Sequence, residues 1–137
     1  MAFSIPLIRD ALKTRIDTIS ALTVYDTMPE NVSLPAAIVY PSPGSFLTYQ
    51  TMDGAVDLDF IVIVLVSSAV DDLAQDELDG YLANSGALSI KAAIDADPSL
   101  GGAAHFAGMT EARNYGLHEF GNAQYFGCEF AVSVGVS

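Results

Sequence analysis

Residues 56–66 read VDLDFIVIVLV. Val56, Leu58 and Phe60 alternate with Asp57 and Asp59, and from Phe60 to Val66 the chain is continuously apolar. Strict alternation is the signature of a strand with one wet face, and a short unbroken apolar run is that of a strand covered on both faces. The segment therefore reads as one strand that is half exposed at its start and enclosed at its end. At seven residues the apolar run is far short of the roughly 20 needed to span a membrane as a helix.

The remaining segments fit around such a strand. Ile5, Ile8, Leu12, Ile16 and Ile19 recur at spacings of three and four, predicting an amphipathic helix over residues 4–20, with Pro6 tolerated in its first turn. Thr23, Val24 and Tyr25 suit a short strand, residues 28–35 a turn-rich connection, and residues 36–40 another strand. Residues 46–51 are strand-like, with Phe46, Thr48 and Gln50 on one face, and Met52-Asp53-Gly54-Ala55 is a hairpin signal leading into the central strand. Ser68 with Asp71 three residues on fits a capping box. It opens a helix whose inward stripe is Val70, Leu73, Ala74, Leu78, Tyr81 and Leu82, and whose outer face is Asp71, Asp72, Gln75, Asp76 and Asp79. A second helix is predicted over residues 87–96 with Ala87, Ile90 and Ile94 inward, stopped by Asp97-Pro98. Two strands follow, over residues 103–113 and 124–136, joined by a glycine-bearing connection over residues 114–123. The expected fold is α+β: a mixed or antiparallel sheet flanked by an N-terminal helix and two central helices, in a single domain over residues 1–137.

Charge narrows the possible partners. The 137 residues carry a formal net charge of −12 and only five lysines and arginines. None of those five lies between Thr18 and Ile90, a span that holds ten acids. A surface that grips nucleic acid needs cations to displace the counterions condensed on phosphate. This chain is expected to repel DNA, and anionic membranes as well. A positive mean hydropathy of +0.38 beside that acidity points to apolar surface reserved for a partner.

The residue types that carry catalysis or bind metals do not form a recognisable pattern in this sequence. Cys128, the single cysteine, has no intramolecular disulfide partner, and neither His105 nor His118 is placed by local sequence to activate it, so it reads as a packed side chain in a reducing cytoplasm. The two histidines lack a third ligand at metal spacing. Residues 71–80 resemble a calcium loop only in acidity, because their spacing is helical. Asp57 and Asp59 share a strand face, but such a pair suits a rim or interface better than glycoside chemistry. No glycine-rich loop is followed by lysine. The expectation is a protein that is not an enzyme, with no catalytic residue, cofactor or metal.

Taken in order, several segments resemble the tail terminator, or tail completion, proteins of long-tailed bacteriophages. They are Tyr25, Leu34-Pro35-Ala36-Ala37-Ile38-Val39-Tyr40-Pro41, Tyr49-Gln50-Thr51, residues 60–66, Gln75 with Asp79-Gly80-Tyr81-Leu82, Gly86-Ala87-Leu88-Ser89-Ile90, Leu100-Gly101-Gly102 and Tyr125-Phe126-Gly127. The resemblance covers nearly the whole chain, and its specificity lies in order and spacing. It implies a homo-hexameric ring that caps the major tail tube protein, stops tail polymerisation and offers a docking face to a head-completion or neck protein. Genomic DNA would pass through without specific binding. The protein would be located in the virion tail or neck, and in the host cytoplasm during assembly. On this reading Phe46, Tyr49 and Met52 are the candidate subunit or tube contacts, and Asp53, Asp57 and Asp59 the candidate acidic lumen or rim. A head-tail connector of similar fold and a small-molecule-binding module are the alternatives.

Overall fold

The computed structural model describes residues 4–19, 22–25, 32–42, 46–49, 56–68, 72–83, 85–86, 88–120 and 123–136. It is an α+β fold with one mixed six-stranded sheet. The strands are β1 (Thr23–Tyr25), β2 (Ala36–Pro41), β3 (Leu47–Tyr49), β4 (Val56–Ser67), β5 (Phe106–Phe120) and β6 (Ala123–Val136). The helices are α1 (Ile5–Ile16), α2 (Asp72–Leu82) and α3 (Ile90–Asp95), and a 3₁₀ turn spans Leu100–Gly102. The sheet order is β1-β2-β4-β6-β5, with β3 also paired to β4; β1 and β2 are parallel and all other pairs antiparallel.

Residues 56–66 lie in the central strand, β4. β6 runs along one edge of β4, and β2 and β3 share the other end to end, β2 opposite residues 60–65 and β3 opposite residues 56–58. The transfer from β2 to β3 is made at Asp59, whose carbonyl accepts from Ser42 N–H at 2.9 Å and whose N–H donates to the Phe46 carbonyl at 2.7 Å. Alternation then builds the core directly. Val56, Leu58, Phe60, Val62, Val64 and Val66 lie on the helix side with Phe126, Cys128, Phe130, Val132 and Val134 of β6. The opposite face is wet at the start of β4, where Asp57 and Asp59 are half-buried, and dry further on, where Ile61 and Leu65 are buried.

One hydroxyl joins two helices. Ser89, buried at 1 %, donates to the Ala83 carbonyl just past α2 and accepts from Ala92 N–H in the first turn of α3. It thus satisfies an orphan acceptor and an orphan donor together. Asp97 holds the next turn through Ser99 Oγ at 2.9 Å and Gly101 N–H at 2.8 Å, where Leu100 takes a left-handed φ of 52° while its side chain stays buried. Those two hydrogen bonds, Ser99's first, hold the Asp97 carboxyl below its ordinary range.

Four differences from the sequence expectation stand out. α1 ends at Ile16, with Asp17 as its C-cap, and α3 begins only at Ile90 behind its Ser89 cap. Leu73, expected inward, is 80 % exposed, because the buried stripe of α2 is Ala74, Leu78 and Tyr81. The fourth difference is the largest: residues 114–120 are strand, not connection, so β5 and β6 form a hairpin that continues beyond the end of β4. Asn114, at φ 56°, marks a bulge there, one of two register shifts in β5, the other lying between Met109 and Glu111. Asp71 of the expected Ser68–Asp71 cap and the Met52–Ala55 turn fall outside the described residues.

β4 and β6 approach so closely that Gly127 admits no side chain: a Cβ there would lie 1.8 Å from the Val64 carbonyl oxygen. Gly127→Ala is therefore expected to cost more than about 2 kcal/mol, because backbone must move. Gly108→Ala, in open space on β5, should stay within about 0.5 kcal/mol of wild type. Urea unfolding midpoints of the two variants measure the difference, and equal midpoints would refute the close-approach argument.

Candidate functional site

The candidate residues divide between the two faces of the sheet. β3 pairs Thr48 with Asp57 and Tyr49 with Val56. Since cross-strand partners share a face, Asp57 lies on the face away from the helices, and Tyr49 lies on the side of buried Val56. Asp59 shares the face of Asp57, opposite Ser133, while Asp57 is opposite Gly135. The structure thus brings Asp57 and Asp59 together and sets Tyr49 apart from them. Met52 and Asp53 lie outside the described residues.

Phe46 and Tyr49 are unlike in their packing. The Phe46 ring meets Phe60 edge-on at a centroid distance of 5.1 Å and is only partly exposed. It anchors the entry to β3. Tyr49, by contrast, is 79 % exposed at the end of its strand.

The open face carries acids across three strands. Beyond Asp57 and Asp59 it bears Glu129 on β6 and Glu111 on β5, each placed by cross-strand pairing. The cation on this face among the described residues is Arg113, which meets Glu111 at 3.1 Å and Glu129 at 3.6 Å. Asn114 donates to the same Glu129 carboxylate at 3.1 Å. Phe106 closes the far end, its ring lying over Gly135, where a Cβ would come within 2.2 Å of it. Arg9, Lys13, Arg15 and Lys91 all belong to the helix layer on the other side.

The end of the β5–β6 hairpin is a surface that the sequence reading passed over. Tyr115 donates to Asp79 of α2 at 3.0 Å and stacks edge-on against Phe126 at 5.3 Å, yet remains 49 % exposed. Partial burial first, and then the Asp79 carboxylate, push its phenol above the ordinary range. Leu117, paired with Phe126, is 55 % exposed. Tyr115 and Leu117 do show the period of two expected of a strand, but Asn114 and Gly116 between and before them read as a turn.

Among the described residues no three of His, Cys, Asp and Glu are grouped as metal ligands, and no helix is long and apolar enough to cross a membrane. His118 contacts the Asn114 carbonyl at 2.7 Å through Nε2. A shallow groove of about 220 Å³ lies between the helices and β5, lined by Leu82, Lys91, Met109, Thr110, Glu111, Ala112 and Phe130. Its lysine is already paired with Asp95. No protein-family model matches this chain, and no curated protein matches it.

Cys128, cross-strand partner of Val64 on the helix side of the sheet, is fully buried, and burial, with a smaller contribution from Glu129, pushes its thiol up to about 12. A nucleophile must be thiolate, so the folded protein should not react with a thiol-specific disulfide reagent at pH 8. Full and rapid labelling is expected in denaturant. Rapid labelling of the native protein at pH 8 would show that the packing around β6 opens.

Proposed function

We propose that this chain is a tail terminator of a long-tailed bacteriophage: a structural assembly protein that forms a hexameric ring on the tail tube, ends its polymerisation and presents a docking surface to the head or neck. The resemblance supplies the family, through the order of segments from Tyr25 to Tyr125-Phe126-Gly127. The observation that carries the reading is the acidity of the sheet's open face. Asp57, Asp59, Glu111 and Glu129 share the open face, its Arg113 is held between two of those carboxylates, and the other cations lie in the helix layer.

A wall of that kind suits a channel for DNA. Six copies, each at −12, turn to the passing duplex a surface that offers few cations for displacing its counterions. Repulsion at short range keeps the polymer moving. On this reading the open face lines or borders the lumen, and Tyr49, on the other side of β3, is available to a neighbouring subunit or to the tube. Phe46 serves by holding β3 against Phe60.

Particles made without this protein should carry tails of uncontrolled length and unattached heads, visible by electron microscopy. Purified protein added to headless tubes of correct length should restore joining. Tyr49→Asp should lower capping at least about tenfold without unfolding the protein, since Tyr49 is exposed in the single copy and an unpaired charge becomes costly only once a contact covers it. Glu119→Ala, at an exposed position of β5, should leave capping of tubes unchanged within about twofold. Normal tails in the absence of the protein would overturn the terminator reading, and normal tails that fail only to join heads would favour a neck connector.

A further inference from the structure

In the helix layer α1 carries Arg9 and Lys13 beside the carboxylates of Asp10 and Asp17, whereas the charged side chains of α2 are all acidic. α3 contacts both α1 and α2, which places it between them. On α1, Arg15 Nε donates to the Ala93 carbonyl of α3 at 3.1 Å, so the Arg15 flank faces inward along the layer. At 100° per residue, Arg9 and Lys13 fall on the other side of the buried stripe of Ile8, Leu12 and Ile16, facing away from α3. Neither forms an ion pair among the described residues, where the ion pairs engage Lys91 and Arg113.

On α2 the buried stripe is Ala74, Leu78 and Tyr81, so Asp72, Asp76 and Asp79 point outward. Asp79 accepts from Tyr115, whereas Asp72 and Asp76 form no ion pair among the described residues. Leu73 stands on the same exposed surface at 80 % exposure. An apolar side chain beside two uncommitted carboxylates is an unpartnered helix face with a definite sign.

We propose that the α1 rim of one copy docks on the α2 face of the next, Arg9 and Lys13 meeting Asp72 and Asp76 around Leu73. This rests on the homo-oligomer in the function proposed above. Copies that each carry −12 repel one another at most orientations. Arg15, Lys91 and Arg113 are held by partners within their own copy, which leaves Arg9 and Lys13 as the cations able to offset that repulsion. A two-fold contact of α2 on α2 would oppose like charges, and one of α1 on α1 would leave the carboxylates of α2 without a cation. The complementary arrangement is head-to-tail, the kind of contact that closes into a ring when its rotation permits.

Charge reversal tests the contact with the full chain. At an ionic strength of about 0.1 M the Debye length is about 10 Å, so long-range repulsion is screened and close pairs persist. Sedimentation velocity against protein concentration should show wild type associating. The double variants Arg9→Glu/Lys13→Glu and Asp72→Lys/Asp76→Lys should each raise the concentration for half-association at least about tenfold. An equimolar mixture of the two should recover the wild-type value, because alternating copies oppose unlike charges at every contact. Both variants remain net negative, so bulk attraction does not mimic this recovery, and recovery also demonstrates that both are folded. Wild type that associates while the reversals have no effect, or while the mixture fails to recover, overturns this contact and leaves the ring reading standing. Wild type that stays monomeric at every concentration overturns both.

Discussion

β4 is hydrogen-bonded along its whole length on one edge by β6 and on the other by two strands in succession, and every further element takes its position from that double engagement. Its side chains at even positions from Val56 to Val66 join one hydrophobic core with the buried residues of all three helices. A slip of one residue would turn that floor into the open face and bury Asp57 and Asp59. Gly127 reinforces the register by letting β6 approach where any larger residue would strike the Val64 carbonyl. The hydrophobic pattern and the close approach thus select one alignment together.

The same strand explains why much of the fold is legible in the sequence. Period two over Val56 to Phe60 and over Phe130 to Val136 leaves little choice of secondary structure, and the helical spacing of Ile8, Leu12 and Ile16 is equally direct. The failures came where one residue serves a purpose that its type does not announce. Asn114 and Gly116 carry the composition of a turn but lie within β5, where the left-handed Asn114 accommodates a bulge in a strand that continues. Leu73 has the spacing of a core position and lies on the outside of α2, since Ala74, Leu78 and Tyr81 already complete the stripe. For the candidate residues, the common face of Asp57 and Asp59 followed from alternation alone. The different fates of Phe46 and Tyr49 required tertiary information: which of the two rings finds Phe60.

Acids lie on both sides of the sheet, but the cations are sorted by layer, and the sorting follows from the architecture. A sheet covered by helices on one side has two surfaces of different chemistry. The helix surface can hold cations beside carbonyls and carboxylates, as Arg15 and Lys91 show, without presenting them to the opposite side. The open strand surface displays whatever alternates with the core, which here includes Asp57, Asp59, Glu111 and Glu129. Functions that require one sign on an inner wall and both signs at the joints between copies can be carried by such a domain without any catalytic group.

The two register shifts in β5 bear on how this protein behaves when crowded. A fifteen-residue strand at the border of a sheet would ordinarily invite other chains to add to it without limit. Here the regular stretches are 106–109, 111–113 and 116–120, none longer than five residues. Fibrillar stacking draws on straight segments of about six or seven residues. The border is thus broken into lengths shorter than those that template amyloid, and the long hairpin at the periphery of the sheet offers other chains no straight edge to extend.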